Sequence, residues 1–270
     1  MLKIKFLNSD LNLYKFKFIF FLLFLIIFSI NSLSDTKLIV LGSGTPNPDP
    51  ERYGSGYAIV VNDSAYIIDF GPGIVRRISA MSPTWGGDFS SMELQNINIA
   101  FLTHIHSDHS AALADLILTP WIMGRDEPLR LYGPPGLKSM SENITEAYID
   151  DINYRLYGSQ PANELGFTTK VTEISKDGII YKDDNVEVTA FKNSHGDFEN
   201  SFGFLFITKD KKILLSGDTG ISENLKKYGK NLDILVHEVF SSETFVNKTK
   251  EWQIYHQAHH TPSIDLGIIA

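Results

Sequence analysis

Residues 104–109 read His-Ile-His-Ser-Asp-His, four side chains able to bind a metal within six positions, directly after the strand-like Phe101-Leu102-Thr103. Folding alone has little reason to produce such density, whereas metal coordination fixes both ligand type and spacing. At a strand end His104 and His106 alternate and point the same way, and a short turn then carries Asp108 and His109 to a second position. The pattern predicts two metal ions per chain, zinc by ligand chemistry, with manganese or iron as alternatives. Such a site needs partners from elsewhere in the chain. His195 follows a predicted strand ending at Phe191, and Asp218, in Ser216-Gly-Asp-Thr-Gly220, follows one ending at Leu215. A carboxylate has two oxygens and can join metals roughly 3.5–4 Å apart, which suits Asp218 as a bridge.

The first 34 residues have a different character. Lys3, Lys5, Lys15 and Lys17 precede an apolar run from Phe18 to Phe28, and Ser29-Ile-Asn-Ser-Leu-Ser34 follows. A positive segment, a short apolar core and small residues in alternation predict a secretory signal cut after Ser34. The apolar run is shorter than the ~20 residues a spanning helix needs. The expected location is the periplasm or the medium, with no stable membrane association after cleavage. Losing four lysines and one aspartate takes the formal charge from −8 to −11. So acidic a surface repels phosphate backbones and argues against nucleic acid as a partner. Cysteine is absent, so the metal ligands must be His, Asp or Glu, and the core alone must stabilise an exported domain.

Alternating and β-branched runs predict strands at 37–41, 57–61, 66–69, 97–103, 129–132, 171–174, 179–182, 186–191, 202–208, 212–215 and 234–237. Helical spacing predicts helices at 73–81, 110–119, 139–157 and 222–228. Runs of strands with few helices between them do not suit a simple alternating parallel sheet. They suit a mixed α/β (α+β) domain of two sheets with helices outside, the strands at 171–174, 179–182 and 186–191 belonging to the second sheet. No repeat or linker interrupts residues 35–270, which are expected to form one domain.

The order His104-x-His106-x-Asp108-His109, then His195, then Asp218, resembles the metallo-β-lactamase superfamily over most of residues 37–270. Within it, Leu41-Gly-Ser-Gly-Thr-Pro46, Tyr66-Ile-Ile-Asp-Phe-Gly-Pro-Gly73, His237-Glu-Val-Phe240 and His260-Thr-Pro262 are similar to the zinc phosphodiesterase branch that contains ribonuclease Z and the arylsulfatase-type hydrolases. The resemblance implies a four-layer αββα sandwich. It also implies that His104, His106 and His195 hold one zinc, that Asp108 and His109 hold the other, and that Asp218 bridges them. Asp108, Glu238 and His260 would form the catalytic set, with Glu238 orienting His260 and His260 stabilising or protonating the leaving oxygen. Asp69 matches a structural position that binds the loops beneath the metals.

Two departures accompany the resemblance. Members that process transfer RNA carry a long arm between the third histidine and the bridging aspartate, and here 22 residues separate His195 from Asp218, enough for one hairpin. The family also takes a last histidine for the second metal from a strand beyond the helix expected to begin at His260. The sequence ends at Ala270, so the domain is expected to be C-terminally truncated, with His256 and His259 read as loop residues that do not substitute. True β-lactamases of this fold commonly use a cysteine ligand, and its absence weighs against antibiotic hydrolysis. The expected function is an exported zinc-dependent hydrolase that cleaves phosphodiester or sulfate esters of a small molecule by a two-metal hydroxide mechanism. Hydrolysis of a lactone or carboxylic ester, and metal binding without catalysis, are the alternatives. Cytosolic tRNA 3′-processing is less favoured, and a homodimer is left open.

Overall fold

A computed structural model describes residues 35–269. The predicted signal segment, residues 1–34, lies outside the described residues. Six strands form the first sheet in the order β1 (Thr36–Gly42), β2 (Gly56–Val61), β3 (Ser64–Ile68), β4 (Ile99–Phe101), β5 (Leu129–Gly133) and β6 (Thr169–Glu173). The first three are antiparallel, and β3 to β6 are parallel. The second sheet contains β7 (Gly178–Lys182), β8 (Glu187–Lys192), β9 (Phe202–Ile207), β10 (Lys212–Leu215) and β11 (Ile234–Val236), antiparallel except for the pair β10–β11. No helix among the described residues is long and apolar enough to cross a membrane.

Near-continuous apolar strands demand cover on both faces, and they receive it. Ile59, Val61, Tyr66, Ile68, Ile99 and Phe101 of the first sheet pack on Val188, Ala190, Phe202, Phe204, Phe206, Ile213 and Leu215 of the second. Phe101 meets Phe204 and Phe206 edge-on, at 5.8 and 5.4 Å, the geometry that aromatic quadrupoles favour. The alternate residues Ala58, Val60, Ile67 and Ala100 turn outward onto helices α1 (Ile74–Ala80) and α3 (Leu113–Ile122), with the short α2 (Ser107–Ser110) between them in sequence. On the far side Phe191, Leu205 and Leu214 are covered by Leu225 of α6 (Glu223–Tyr228). The result is the expected four-layer αββα sandwich.

Three local expectations change. The strand expected at 171–174 in the second sheet is β6, which pairs in parallel with β5 in the first, because a helical crossover returns the chain beside the strand it left. That crossover is two helices, α4 (Leu137–Ala147) and α5 (Ile149–Tyr157), broken at Tyr148, which is not helical. The strand expected to reach Thr103 ends at Phe101, so His104 and His106 lie in a loop and Asp108 and His109 in the short helix α2 that follows.

Buried polar groups join the layers. Arg125 is fully buried, and its guanidinium donates to the carbonyls of Ile97, Leu116, Ile117 and Gly166 at 2.7–3.2 Å. Burial lowers its pKa to about 10, which still leaves it charged at neutral pH. Asp183, in the β7–β8 hairpin, accepts from the hydroxyls of Tyr66 and Tyr181, each at 2.7 Å, and so ties one sheet to the other. Burial opposes its ionisation, but these hydroxyls and the amides of Val186 and Asn185 prevail and hold its pKa below the ordinary value. A carboxylate with a depressed folded pKa adds stability above its unfolded pKa and loses it as pH falls through the folded one. Asp183→Asn is therefore expected to cost about 1 kcal/mol near neutrality, a modest figure because the group is exposed and screened. In urea titrations the gap from wild type should stay constant down to about pH 4 and close below it. A pH-independent gap would show that ionisation is not what stabilises the bridge.

Candidate metal centre

The centre starts from Asp69, which follows β3 with a left-handed backbone, φ 56°, a conformation aspartate tolerates better than most residues. Its amide donates to the carbonyl of Phe101 at 2.8 Å. Its carboxylate is buried and accepts from the amide of Thr103 at 2.8 Å and the hydroxyl of Thr103 at 3.0 Å. Having given its proton to Asp69, the Thr103 hydroxyl accepts from His104 Nδ1 at 3.0 Å. The proton of His104 therefore sits on Nδ1, and Nε2 presents a lone pair.

His195, after β8, is fixed in the same way. Its Nδ1 faces the carbonyl of His259 at 2.9 Å and must donate to it, which again leaves Nε2 with a lone pair. Both lone pairs point at His106 Nδ1, from 3.0 and 3.3 Å. His106 can offer one proton there at most, so it cannot satisfy both. Burial pushes His104 well below its ordinary pKa and His195 down to about 4, so both are neutral at physiological pH, the state a ligand needs. Three imidazole nitrogens facing one point, two of them with fixed lone pairs, are a donor set for zinc.

A second group adjoins the first. His109 Nδ1 donates to Asp69 at 2.7 Å, and its Nε2 stands 3.3 Å from Asp218 and 3.6 Å from Asp108. Asp218 also reaches to 3.9 Å from His104 Nε2. A lone pair facing two carboxylates requires a cation between them, either a proton or a metal. Burial pushes the pKa of His109 down, but Asp69 and Asp218 prevail and hold it well above the ordinary value, the direction expected of a pocket that favours positive charge. The ligand atoms of His104, His106 and His195 lie within 4.8 Å of one another, as do those of His104, His109 and Asp218. The six expected ligands thus come together, with His104 common to both groups and Asp108 beside the second.

Glu238 and His260 meet at the edge of this centre. Glu238, after β11, accepts from the amides of Thr219 at 3.3 Å and Thr261 at 3.0 Å, and His260 Nδ1 lies 3.3 Å from the same oxygen. His260 is also 3.9 Å from Asp218. Burial disfavours its charge, yet the bond to Glu238 prevails and raises its pKa.

His256 and His259, expected in a loop, belong to helix α8 (Lys250–His259), which follows the short α7 (Ser242–Phe245). The helix carries only a weak apolar stripe, so its sequence pattern does not announce it. His259 contributes through its backbone: its carbonyl orients His195, and the carbonyl of Ala258 accepts from the amide of Gly196 at 2.9 Å. The histidine loop is thus docked on the C-terminal carbonyls of a helix. Thr103 and His259 have no sequence signal as site residues, because each acts by fixing a neighbour's proton. Gly196 is required here. Its φ is 58°, and a Cβ would lie 2.1 Å from Nε2 of His259, a ring stacked on Tyr255 at 4.2 Å and bonded to Asp197 at 3.2 Å. Gly196→Ala is expected to weaken zinc binding about tenfold or more, the usual cost of losing a ligand's support, as read by competition with a chromophoric chelator. Unchanged affinity would mean that the docking does not position His195.

The sequence matches the family described as anti-Pycsar protein Apyc1 across residues 36–251. Ribonuclease Z of Mycobacterium bovis (strain BCG / Pasteur 1173P2) is 28% identical over 214 residues, which cover 77% of this chain and 71% of that protein. Among solved structures, the short form of human tRNase Z superposes with a TM-score of 0.67 at 22% identity, covering 87% of this chain and 88% of that one. Zn2+-bound PqqB from Methylobacterium extorquens gives 0.57 at 16%, covering 84% and 80%. At these identities the two structures speak for the fold.

Proposed function

Because this chain belongs to the anti-Pycsar protein Apyc1 family, within the phosphodiesterase branch of the metallo-β-lactamase superfamily, we propose that it is a zinc-dependent hydrolase of small-molecule phosphodiesters. The observation that carries this reading is the pair of adjoining ligand groups that share His104. His104, His106 and His195 would hold one metal, His109 and Asp108 would hold the other, and Asp218 would serve both. Zinc bound there would make a nucleophile of water at neutral pH and neutralise charge on the ester oxygens. The rest of the work falls to side chains. Asp69 keeps His109 turned toward Asp218, and Thr103 keeps the Nε2 of His104 free. Glu238, pinned by two amides, favours the protonated form of His260 beside Asp218, from which an imidazolium would hand a proton to the departing oxygen.

The formal charge of −11 beyond residue 34 supports a small substrate over a polynucleotide. So does the connection between His195 and Asp218, which holds the single hairpin β9–β10. We propose export as well, on the charge and apolar pattern of residues 1–34. N-terminal sequencing of protein from cell fractions is expected to give Asp35 from the periplasm or medium, and full-length protein in the cytosol would overturn that part.

The purified protein is expected to contain about two zinc ions and to hydrolyse bis(4-nitrophenyl) phosphate, with activity lost to a chelator and restored by zinc. His106→Ala should remove most of the metal, since losing one of three ligands leaves an open, weak site. Tight metal without turnover of any phosphodiester would replace the enzyme with a metal-binding protein. His260→Ala should leave metal content intact and slow esters with poor leaving groups about 10²-fold or more, the usual range for a proton donor. Equal losses for good and poor leaving groups would remove that role from His260.

A further inference from the structure

One aromatic ring stands at the centre without belonging to the core. Phe198 lies outside all three apolar clusters and is partly exposed. Its ring centroid is 4.6 Å from that of His106, 6.0 Å from His104 and 6.1 Å from His195. Of these histidines, His104 and His195 are buried and His106 is partly open. The approach to the group is therefore on the His106 side, where Phe198 stands.

The ring is also held in place. The amide of Phe198 donates to the carbonyl of His195 at 3.0 Å, the amide of Gly196 is docked on α8, and the carboxylate of Asp197 meets His259 at 3.2 Å. An apolar ring left partly in water gains less folding energy than a core residue, but a preorganised aromatic face beside a reaction centre can bind. Asp197 and Glu199 on either side are exposed and repel additional anionic groups. A neutral planar group is what this rim accepts.

We propose that Phe198 is a specificity-determining residue: its ring is the wall against which a planar aromatic group of the ester stacks, so that aryl phosphodiesters are selected over aliphatic ones of equal size. This rests on the phosphodiesterase reading above. Aromatic pairing implies a preference of roughly threefold to tenfold.

The test uses the zinc-loaded full chain and two product-like anions, phenylphosphonate and cyclohexylphosphonate, which match in size and differ in planarity. Calorimetry is expected to show phenylphosphonate bound more tightly by that factor. Phe198→Leu should keep its zinc, by elemental analysis, and bind the two anions equally, while Phe198→Tyr keeps the preference. Equal binding of both anions to the wild type overturns the wall and leaves the phosphodiesterase reading standing. So does a Phe198→Leu protein that retains the preference, or one that loses zinc and weakens equally toward both, since the ring would then only shield His106. If neither anion binds and no phosphodiester turns over, both readings fall.

Discussion

One buried carboxylate sets the protonation of the two rings, His104 and His109, around which the centre is built. Asp69 is 1% exposed and receives three bonds, from the Thr103 amide, the Thr103 hydroxyl and His109 Nδ1. One branch runs through Thr103 to His104 and leaves the Nε2 of that ring free; the other runs directly to His109 and frees its Nε2 as well. Both adjoining ligand groups are thus tuned from below by the same anion. Such a charge is tolerated in the interior because hydrogen bonds and adjacent positive charge compensate for lost solvation. The left-handed backbone at Asp69 is what aims the carboxylate at both branches.

The sandwich explains why these groups converge. The first sheet contributes Asp69 from the end of β3 and the histidine cluster from the loop after β4. The second contributes His195 after β8, Asp218 after β10 and Glu238 after β11. All five segments emerge at the C-terminal ends of their strands, and Phe101 against Phe204 and Phe206 locks the sheets together just below. At the seam the backbones come close. A Cβ on Gly217, φ 61°, would lie 2.9 Å from the side chain of Thr103, so the loop carrying Asp218 could not settle beside the histidine loop with a larger residue there.

Much of this was legible in the chain because metal ligands carry a dense local signal. His104, His106, Asp108 and His109 lie within six positions, and His195 and Asp218 each follow an apolar strand. Strand existence was also legible, since period-2 patterning survives in both sheets. What stayed hidden was non-local. Whether β6 joins β5 or β7 depends on how α4 and α5 return the chain, and residues 171–174 carry no mark of it. Helix α8 is equally quiet, because its contribution lies in the carbonyls of Ala258 and His259, groups every residue possesses. Thr103 likewise acts through the ring beside it, and nothing in residue type announces that.

Charge balance connects the site to the class of ester it suits. The imidazoles of His104 and His195 are held neutral by burial, so the fixed negative charge of the centre comes from Asp69, Asp108 and Asp218. Glu238 and His260 offset each other as a bonded pair. Two divalent cations held here would offset these three carboxylates together with the hydroxide they generate, leaving no net charge on the centre. A phosphodiester is a monoanion and would bring one negative charge to such a centre, whereas a phosphate monoester near neutral pH carries close to two and would cost more to hold in a low-dielectric pocket. The bond to Glu238 favours a proton on His260, at the margin of the centre, where charge would develop as a leaving oxygen departs and not where the substrate's own anion would be bound.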